Sequence, residues 1–211
     1  MADKEILIFV EGPSDKVFLE AYLYFLEDIP IKNFKVKDVT GKDNLSKRLL
    51  EIEKYDKTLI IFDADKDYES NKKEILSKTQ QKITEEQIFL FPNNQDDGDL
   101  ETLLLEIAKH DEFLKCFEGY LKCIKSKKHY KPIKNISKSK WYAYLEVFEL
   151  QNFFKDKRNK NDKKNEEKII IDDKGKIRKE YKEEYEKLKE VIDFNSNSLI
   201  RLKDFLGQFA K

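Results

Sequence analysis

Short apolar runs alternate with amphipathic stretches through the first half of the chain. The runs at residues 6–10, 59–62 and 88–91 are continuous, rich in β-branched and aromatic side chains, and bounded by polar residues. Such runs predict strands buried on both faces, as in the middle of a parallel sheet. Residues 34–39 have lysine and aspartate interleaved with apolar residues, which predicts a strand nearer the sheet edge.

Helical spacing of apolar residues separates these strands. It predicts a helix that starts near Ser14 and stops by Pro30, and two more over 45–54 and 69–83. The order β-α-β-α-β-α-β with short links predicts parallel strands joined by right-handed crossovers. The sequence therefore predicts an α/β fold with a mainly parallel four-stranded sheet over residues 1–108.

The second half of the chain, residues 109–211, shows helical rather than strand patterns. It predicts a mostly helical C-terminal extension, which we expect to pack on the first domain as one unit. The stretch 126–140 is basic and predicts irregular structure, and 155–168 is almost entirely polar and predicts a mobile Lys-rich loop. Helices are predicted at 111–125, 141–154, 178–192 and 198–209.

Composition adds less than charge distribution does. Lys+Arg and Asp+Glu are both 42, so the net charge points to no partner class. Residues 81–121, however, hold ten acidic and three basic residues, whereas 122–168 hold fifteen basic and six acidic ones. An acidic centre beside a basic flank suits a metal site next to a polyanion, and a solvated Lys-rich surface is the competing interpretation. No signal-peptide or membrane-spanning pattern is present, which favours a cytoplasmic location.

Three carboxylates follow the most apolar strand at alternate positions: Asp63, Asp65 and Asp67. Side chains two residues apart in an extended chain point the same way, so Asp63 and Asp65 are expected on one side of the strand end. In open α/β sheets, ligands bind at that edge. Two like charges so close repel each other unless a cation lies between them. The spacing therefore predicts a cation site.

Glu11 ends the first strand in the same way. If the first and third strands are neighbours, Glu11, Asp63 and Asp65 converge at the carboxyl edge of the sheet. Mg²⁺ and Mn²⁺ prefer oxygen ligands, often one or two carboxylates with waters and substrate phosphate. A glutamate not fully engaged by metal can serve as a general acid or base, so Glu11 is the candidate catalytic residue.

Other polar residues near this edge are weaker candidates. Acidic residues at positions 96, 97, 99 and 101 could supply a further ligand, with Asp97 and Asp99 as the candidates, or they could form a turn and a helix cap. Lys16 and Lys42 are candidate phosphate contacts, and a solvated turn lysine is the competing interpretation for Lys42.

These residues carry a family resemblance. The segment Val10-Glu11-Gly12-Pro13-Ser14-Asp15, with the later Phe62-Asp63-Ala64-Asp65, resembles the toprim domain of topoisomerases, bacterial primases and OLD-family nucleases. The resemblance covers about residues 5–105 and implies a Rossmann-like three-layer domain. It implies that Glu11 is the acid/base or metal-linked carboxylate, and that Asp63 and Asp65 are ligands of Mg²⁺ or Mn²⁺. Asp67 stands near where many toprim sequences carry glycine, which leaves its role open.

The resemblance implies a site but does not specify its reaction. No recognisable tyrosine nucleophile context, zinc module or GxxxxGK[ST] motif occurs, since Gly41-Lys42 is followed by Asp43. Metal-assisted phosphodiester cleavage of nucleic acid, by a toprim-type nuclease, is then the leading hypothesis. One alternative is a catalytically degenerate toprim-like module that binds a partner protein or nucleic acid in a defence or repair system. A lower-ranked alternative is an Asp-nucleophile phosphatase, whose motif is also Asp-x-Asp.

Overall fold

The computed structural model describes residues 6–26, 31, 34–154 and 182–209. Four strands form one sheet: β1 Ile6–Val10, β2 Phe34–Asp38, β3 Lys57–Asp63 and β4 Ile88–Phe91. The first four α-helices are α1 Pro13–Phe25, α2 Leu49–Ile52, α3 Tyr68–Lys78 and α4 Leu100–Glu106. The C-terminal helices are α5 Asp111–Lys125, α6 Ile136–Val147, α7 Lys182–Val191 and α8 Ile200–Gly207. Single turns of 3₁₀-helix lie at Glu85–Gln87 and Asn197–Leu199, and a longer 3₁₀ segment at Lys42–Arg48.

The sheet is parallel throughout, in the order β2-β1-β3-β4. The predicted neighbours β1 and β3 are paired, with Val10 opposite Ile61. The interleaved strand β2 lies at one edge, as predicted from its lysines. The predicted α/β fold with a parallel four-stranded sheet and a helical C-terminal part is confirmed.

Alternate strand residues point to opposite faces, and each face has its own apolar core. One face, which includes Ile8, Ile61 and Phe89, packs against α1 and α4 and against the C-terminal helices α6, α7 and α8. The other face, which includes Phe9, Ile60 and Leu90, packs against α3 and the segments that follow β2. Burial on both sides explains why β1 reads as an unbroken apolar run rather than an alternating one. The result is a three-layer arrangement.

The C-terminal helices share the first of these cores. Trp141 and Tyr144 of α6 and Leu202 of α8 are buried in the same cluster as Phe18 of α1. α5 differs, because none of its residues is buried. None of the helices in the described ranges is both long and apolar enough to cross a membrane.

Several predicted helix boundaries were wrong. The helix expected over 45–54 is mainly the 3₁₀ segment Lys42–Arg48, followed by the short α2. The aromatic helix expected over 141–154 begins earlier, at Ile136, and ends at Val147, with Glu149 in a left-handed conformation just beyond it. The helix therefore includes residues 136–140, which are part of the basic stretch predicted to be irregular. The predicted loop at 155–168 lies outside the described residues.

Candidate functional site

Four carboxylates from four separate segments gather at the carboxyl edge of β1 and β3. They are Glu11 after β1, Asp15 in the first turn of α1, Asp63 at the end of β3 and Glu101 in the first turn of α4. We call these four residues the acidic cluster. Their proximity follows from the sheet order, because adjacent parallel strands bring their carboxyl ends, and the helices that follow, to one edge.

Asp63 lies at the centre of the acidic cluster. Its Oδ1 accepts a hydrogen bond from the backbone N–H of Leu100 at 2.9 Å. Burial, followed by the charges of Asp15 and Glu11, raises the pKa of Asp63 to about 9, and the Leu100 amide opposes this only in part. These surroundings therefore favour the protonated form of Asp63 unless a cation offsets the charges.

Asp15 is held against the turn that precedes α1. Its Oδ2 accepts a hydrogen bond from the backbone N–H of Gly12 at 2.7 Å, and the residue is only 7% exposed. Burial raises its pKa to about 7; the Gly12 amide lowers it, and the charges of Glu11 and Glu101 raise it. Asp15 was not among the site residues predicted from the sequence. The sequence feature that could have identified Asp15 is its place four residues after Glu11, in the first turn of the helix that follows the same strand.

Glu11 has an oxygen that lacks a hydrogen-bond partner. Its Oε2 is buried and no described group donates to it. Burial raises the pKa of Glu11, the ammonium of Lys42 lowers it, and the charge of Asp65 raises it. The backbone N–H of Asp63 hydrogen-bonds the carboxylate and also lowers its pKa. Glu11 therefore faces the end of β3, as the sequence predicted, with one acceptor unused.

Glu101 closes the cluster on the α4 side. It is 8% exposed, and burial raises its pKa. The ammonium of Lys138, whose Nζ lies 3.9 Å from Glu101 Oε1, lowers the pKa of both Glu101 and Asp15. Lys138 comes from the first turn of α6, so the C-terminal part of the chain reaches the acidic cluster.

Asp65 lies at the rim rather than inside. It has a left-handed backbone, with φ of 53°, and pairs as an isolated antiparallel bridge with Gly98. The two backbone N–H···O bonds of that bridge are 2.7 Å long. The predicted alternation of Asp63 and Asp65 along an extended chain is therefore interrupted after Asp63, and the Asp65 side chain is 53% exposed.

Lys42 is more enclosed than a solvated turn lysine. Its side chain is 14% exposed, forms an ion pair with Asp65, and donates a hydrogen bond to Asn71 Oδ1 at 2.7 Å. The interpretation of Lys42 as a solvated turn residue was wrong, because the 3₁₀ segment directs it at the acidic rim. Lys16 lies half-buried in α1.

The remaining predicted ligands take part in turns and caps, and we call these three residues the loop acids. Asp67 Oδ1 accepts the Ser70 N–H at the start of α3, and Asp99 Oδ1 accepts the Thr102 N–H at the start of α4. Asp97 Oδ1 accepts the Tyr68 N–H at 2.8 Å. Each thus has a local role in holding a loop or a helix end.

The acidic cluster offers carboxylate oxygens, the kind of ligand that Mg²⁺ and Mn²⁺ prefer. Within the described ranges, no group of three or more His, Cys, Asp or Glu is arranged to hold a metal ion by itself. Mg²⁺ commonly needs fewer protein ligands, because one or two carboxylates suffice when waters and substrate phosphate complete its shell. The buried, unpartnered Oε2 of Glu11 and the all-oxygen chemistry of the cluster fit that kind of site.

Comparisons with known proteins gave one family. Residues 5–211 match the model of a family described as "Protein of unknown function (DUF3226)". Neither the search of curated proteins nor the search of solved structures found a match.

Proposed function

We propose that this chain, which belongs to the DUF3226 family, is a metal-dependent enzyme that cleaves phosphodiester bonds in nucleic acid. The observation that carries the proposal is the acidic cluster at the carboxyl edge of a parallel sheet. Gathering the buried Asp15 and Glu101 with the half-buried Glu11 and Asp63 is unfavourable, as their raised pKa values indicate. Fold stability alone gives no reason to gather them, whereas a cation-binding site does.

Glu11 and Asp63 would hold Mg²⁺ or Mn²⁺, since one carries an unpartnered buried oxygen and the other is central to the cluster. When bound, the cation stabilises negative charge on the phosphate and lowers the pKa of a coordinated water. The Leu100 N–H fixes the Asp63 carboxylate, and the Gly12 N–H fixes that of Asp15. Preorganised ligands of this kind need no rearrangement when a substrate arrives.

Asp15 is suited to hold a proton during the reaction. Burial raises its pKa, which favours the protonated form beside the proposed ligands Glu11 and Asp63. Lys42, beside Glu11 and Asp65, supplies positive charge at the rim, where an anionic phosphate would approach. The toprim resemblance of the Glu11 and Asp63 segments supports the same reaction class.

The test is nicking of supercoiled plasmid and cleavage of labelled single-stranded DNA and RNA with Mg²⁺ or Mn²⁺. We expect cleavage by the wild-type chain and a loss on the order of 100-fold or more in Glu11→Gln and Asp63→Asn. Asp96→Asn is the matched control, because Asp96 is an exposed acid of the neighbouring loop. Cleavage that is equal in all three variants would overturn the proposal.

A binding module without catalysis is the second candidate, favoured by one observation. The described residues contain no group of three or more His, Cys, Asp or Glu that could hold a metal ion, and a site that holds no cation leaves a chain able to bind but not to cleave. Nucleic-acid binding without cleavage under any divalent cation would support this alternative. Hydrolysis of p-nitrophenyl phosphate, with no action on nucleic acid, would instead favour the Asp-nucleophile phosphatase.

A further inference from the structure

Residues 122–140, called here the basic segment, carry eight lysines and no aspartate or glutamate. The segment spans the last turn of α5, the connection to α6 and the first turns of α6. Seven of the eight lysines are exposed, and Lys140 is half-buried. Within the described ranges, Lys138 and Lys140 are the lysines of the segment that form ion pairs. The charge of the other six faces solvent.

The basic segment also exposes an aromatic ring. Tyr130 is 51% exposed, and the His129 ring lies beside it with 4.3 Å between the ring centroids. Lysines precede and follow this pair of rings, in the irregular connection between α5 and α6. Exposed rings among lysines are the combination that single-stranded nucleic acid uses, with bases stacked on the rings and phosphates beside the ammonium groups.

One end of the basic segment lies at the acidic cluster. Lys138 Nζ is 3.9 Å from Glu101 Oε1. One turn later in α6, the Tyr142 hydroxyl is 3.4 Å from the Ser14 hydroxyl, next to Asp15. The basic segment is therefore joined, along the chain, to residues of α6 that lie beside the acidic cluster.

We propose that the basic segment is the surface that binds nucleic acid and leads its phosphate backbone to the acidic cluster. The part of this inference that leads the phosphate backbone to the acidic cluster rests on the proposed function. A cluster of carboxylates repels a polyanion, so a substrate of that charge needs an adjacent basic surface to bring it close. The six exposed lysines of the segment other than Lys138 and Lys140 supply that charge without sequence readout, and we expect binding that depends on salt rather than on sequence. We expect single strands to be favoured, because a base can stack on the exposed Tyr130 ring only when it is unpaired.

The experiment measures binding by fluorescence anisotropy in EDTA, so that neither a metal nor cleavage is needed. The probes are labelled single-stranded DNA, single-stranded RNA, duplex DNA and vesicles of anionic phospholipid. The test variant neutralises four exposed lysines of the basic segment by Lys→Gln at positions 127, 128, 131 and 134. The matched control neutralises four exposed lysines elsewhere: Lys54, Lys73, Lys187 and Lys203.

We expect the test variant to bind single strands about tenfold or more weakly than the wild type, with the slope of log Kd against log salt reduced by about 3. The control should bind with nearly wild-type affinity. A third variant, Tyr130→Ala, should weaken single-strand binding about tenfold and leave duplex binding unchanged. Circular dichroism checks that each variant is folded.

Equal losses in the test variant and the control, or no binding by the wild type, would overturn the inference. So would tighter binding to anionic vesicles than to nucleic acid. Failure of the proposed function is separable: in that case nucleic acid binds through the basic segment, yet no divalent cation produces cleavage. Conversely, the four substitutions could leave the cleavage rate unchanged at subsaturating substrate. That result would refute the role of the basic segment and leave the proposed function standing.

Discussion

Two groups of acids lie at the same edge of the sheet and differ in their surroundings. The loop acids Asp67, Asp97 and Asp99 each accept a backbone N–H in a turn or at a helix start. In the acidic cluster, Asp15 and Asp63 also accept a backbone N–H, but burial and mutual repulsion still raise their pKa values. A single amide donor therefore does not distinguish the groups; burial beside other acids does.

The difference shows which carboxylates serve the fold and which are available for a ligand. A capping carboxylate stabilises the element it caps, typically by about 1 kcal/mol. A carboxylate buried among others destabilises the folded state whenever it is ionised. The acidic cluster is thus a place where the fold accepts a stability loss, which is typical of functional sites.

The largest effect expected from this comparison is in Asp63→Asn without metal. The folded-state pKa of Asp63, about 9, exceeds its unfolded value near 4. Its favourable contribution is complete below about pH 4 and is lost as the pH rises toward about 9. At pH 8 the unfolded wild-type chain has released this proton while the folded one still holds it, so Asp63→Asn should be more stable than the wild type by several kcal/mol, with little difference at pH 4.

Urea unfolding in EDTA across that pH range measures the difference. The wild-type free energy of unfolding should fall as the pH rises, and that of Asp63→Asn should fall less. The asparagine oxygen can still accept the Leu100 N–H, so the substitution tests charge rather than the loss of a hydrogen bond. A variant that is less stable than the wild type at pH 8 would show that Asp63 belongs with the loop acids.

Asp99→Ala should act in the opposite direction and somewhat less. It removes the acceptor for the Thr102 N–H and for the Thr102 hydroxyl, which lie 2.8 Å and 2.6 Å from Asp99 Oδ1. We expect a loss of about 1–2 kcal/mol in the free energy of unfolding, with Asp99→Asn close to the wild type. Chemical denaturation of both variants provides the check, and an unchanged stability of Asp99→Ala would contradict the capping role.

The smallest effect is expected for Asp65→Asn. Its side chain is half exposed and its partner is the single ammonium of Lys42, so the change should alter stability by less than about 1 kcal/mol. Thermal unfolding with and without added salt measures it. A large loss that salt does not reduce would place Asp65 in the acidic cluster instead of at its rim.

The sequence was sufficient for the central strands and for the meeting of Glu11 and Asp63. Both follow unbroken apolar runs, and such runs occupy the middle of a parallel sheet, where adjacent strands end together. It was insufficient for Asp65, because the alternation argument assumes an extended chain. The left-handed backbone at Asp65 depends on a bridge to Gly98, a residue 33 positions later, which no local pattern contains.

Asp15 and Lys138 escaped prediction for a related reason. Asp15 lies in the acidic cluster because of the angle at which α1 leaves β1. Lys138 reaches the cluster because α6 packs on the same face of the sheet. Asp15 reads in sequence as an ordinary acid of a helix first turn, and Lys138 as one lysine among many. Their positions follow from packing of α1 and α6 on the sheet, and tertiary contacts of that kind leave no periodic signal.

The most direct test of the central claim is calorimetric titration of Mn²⁺ and Mg²⁺ into the metal-free protein near neutral pH. We expect the wild-type chain to bind these ions at millimolar concentration or below. Glu11→Gln and Asp63→Asn should each weaken binding by more than about tenfold, whereas the loop variant Asp96→Asn should leave it unchanged. Absence of binding by the wild type at millimolar ion, or equal binding by Glu11→Gln, would show that the acidic cluster is not a cation site.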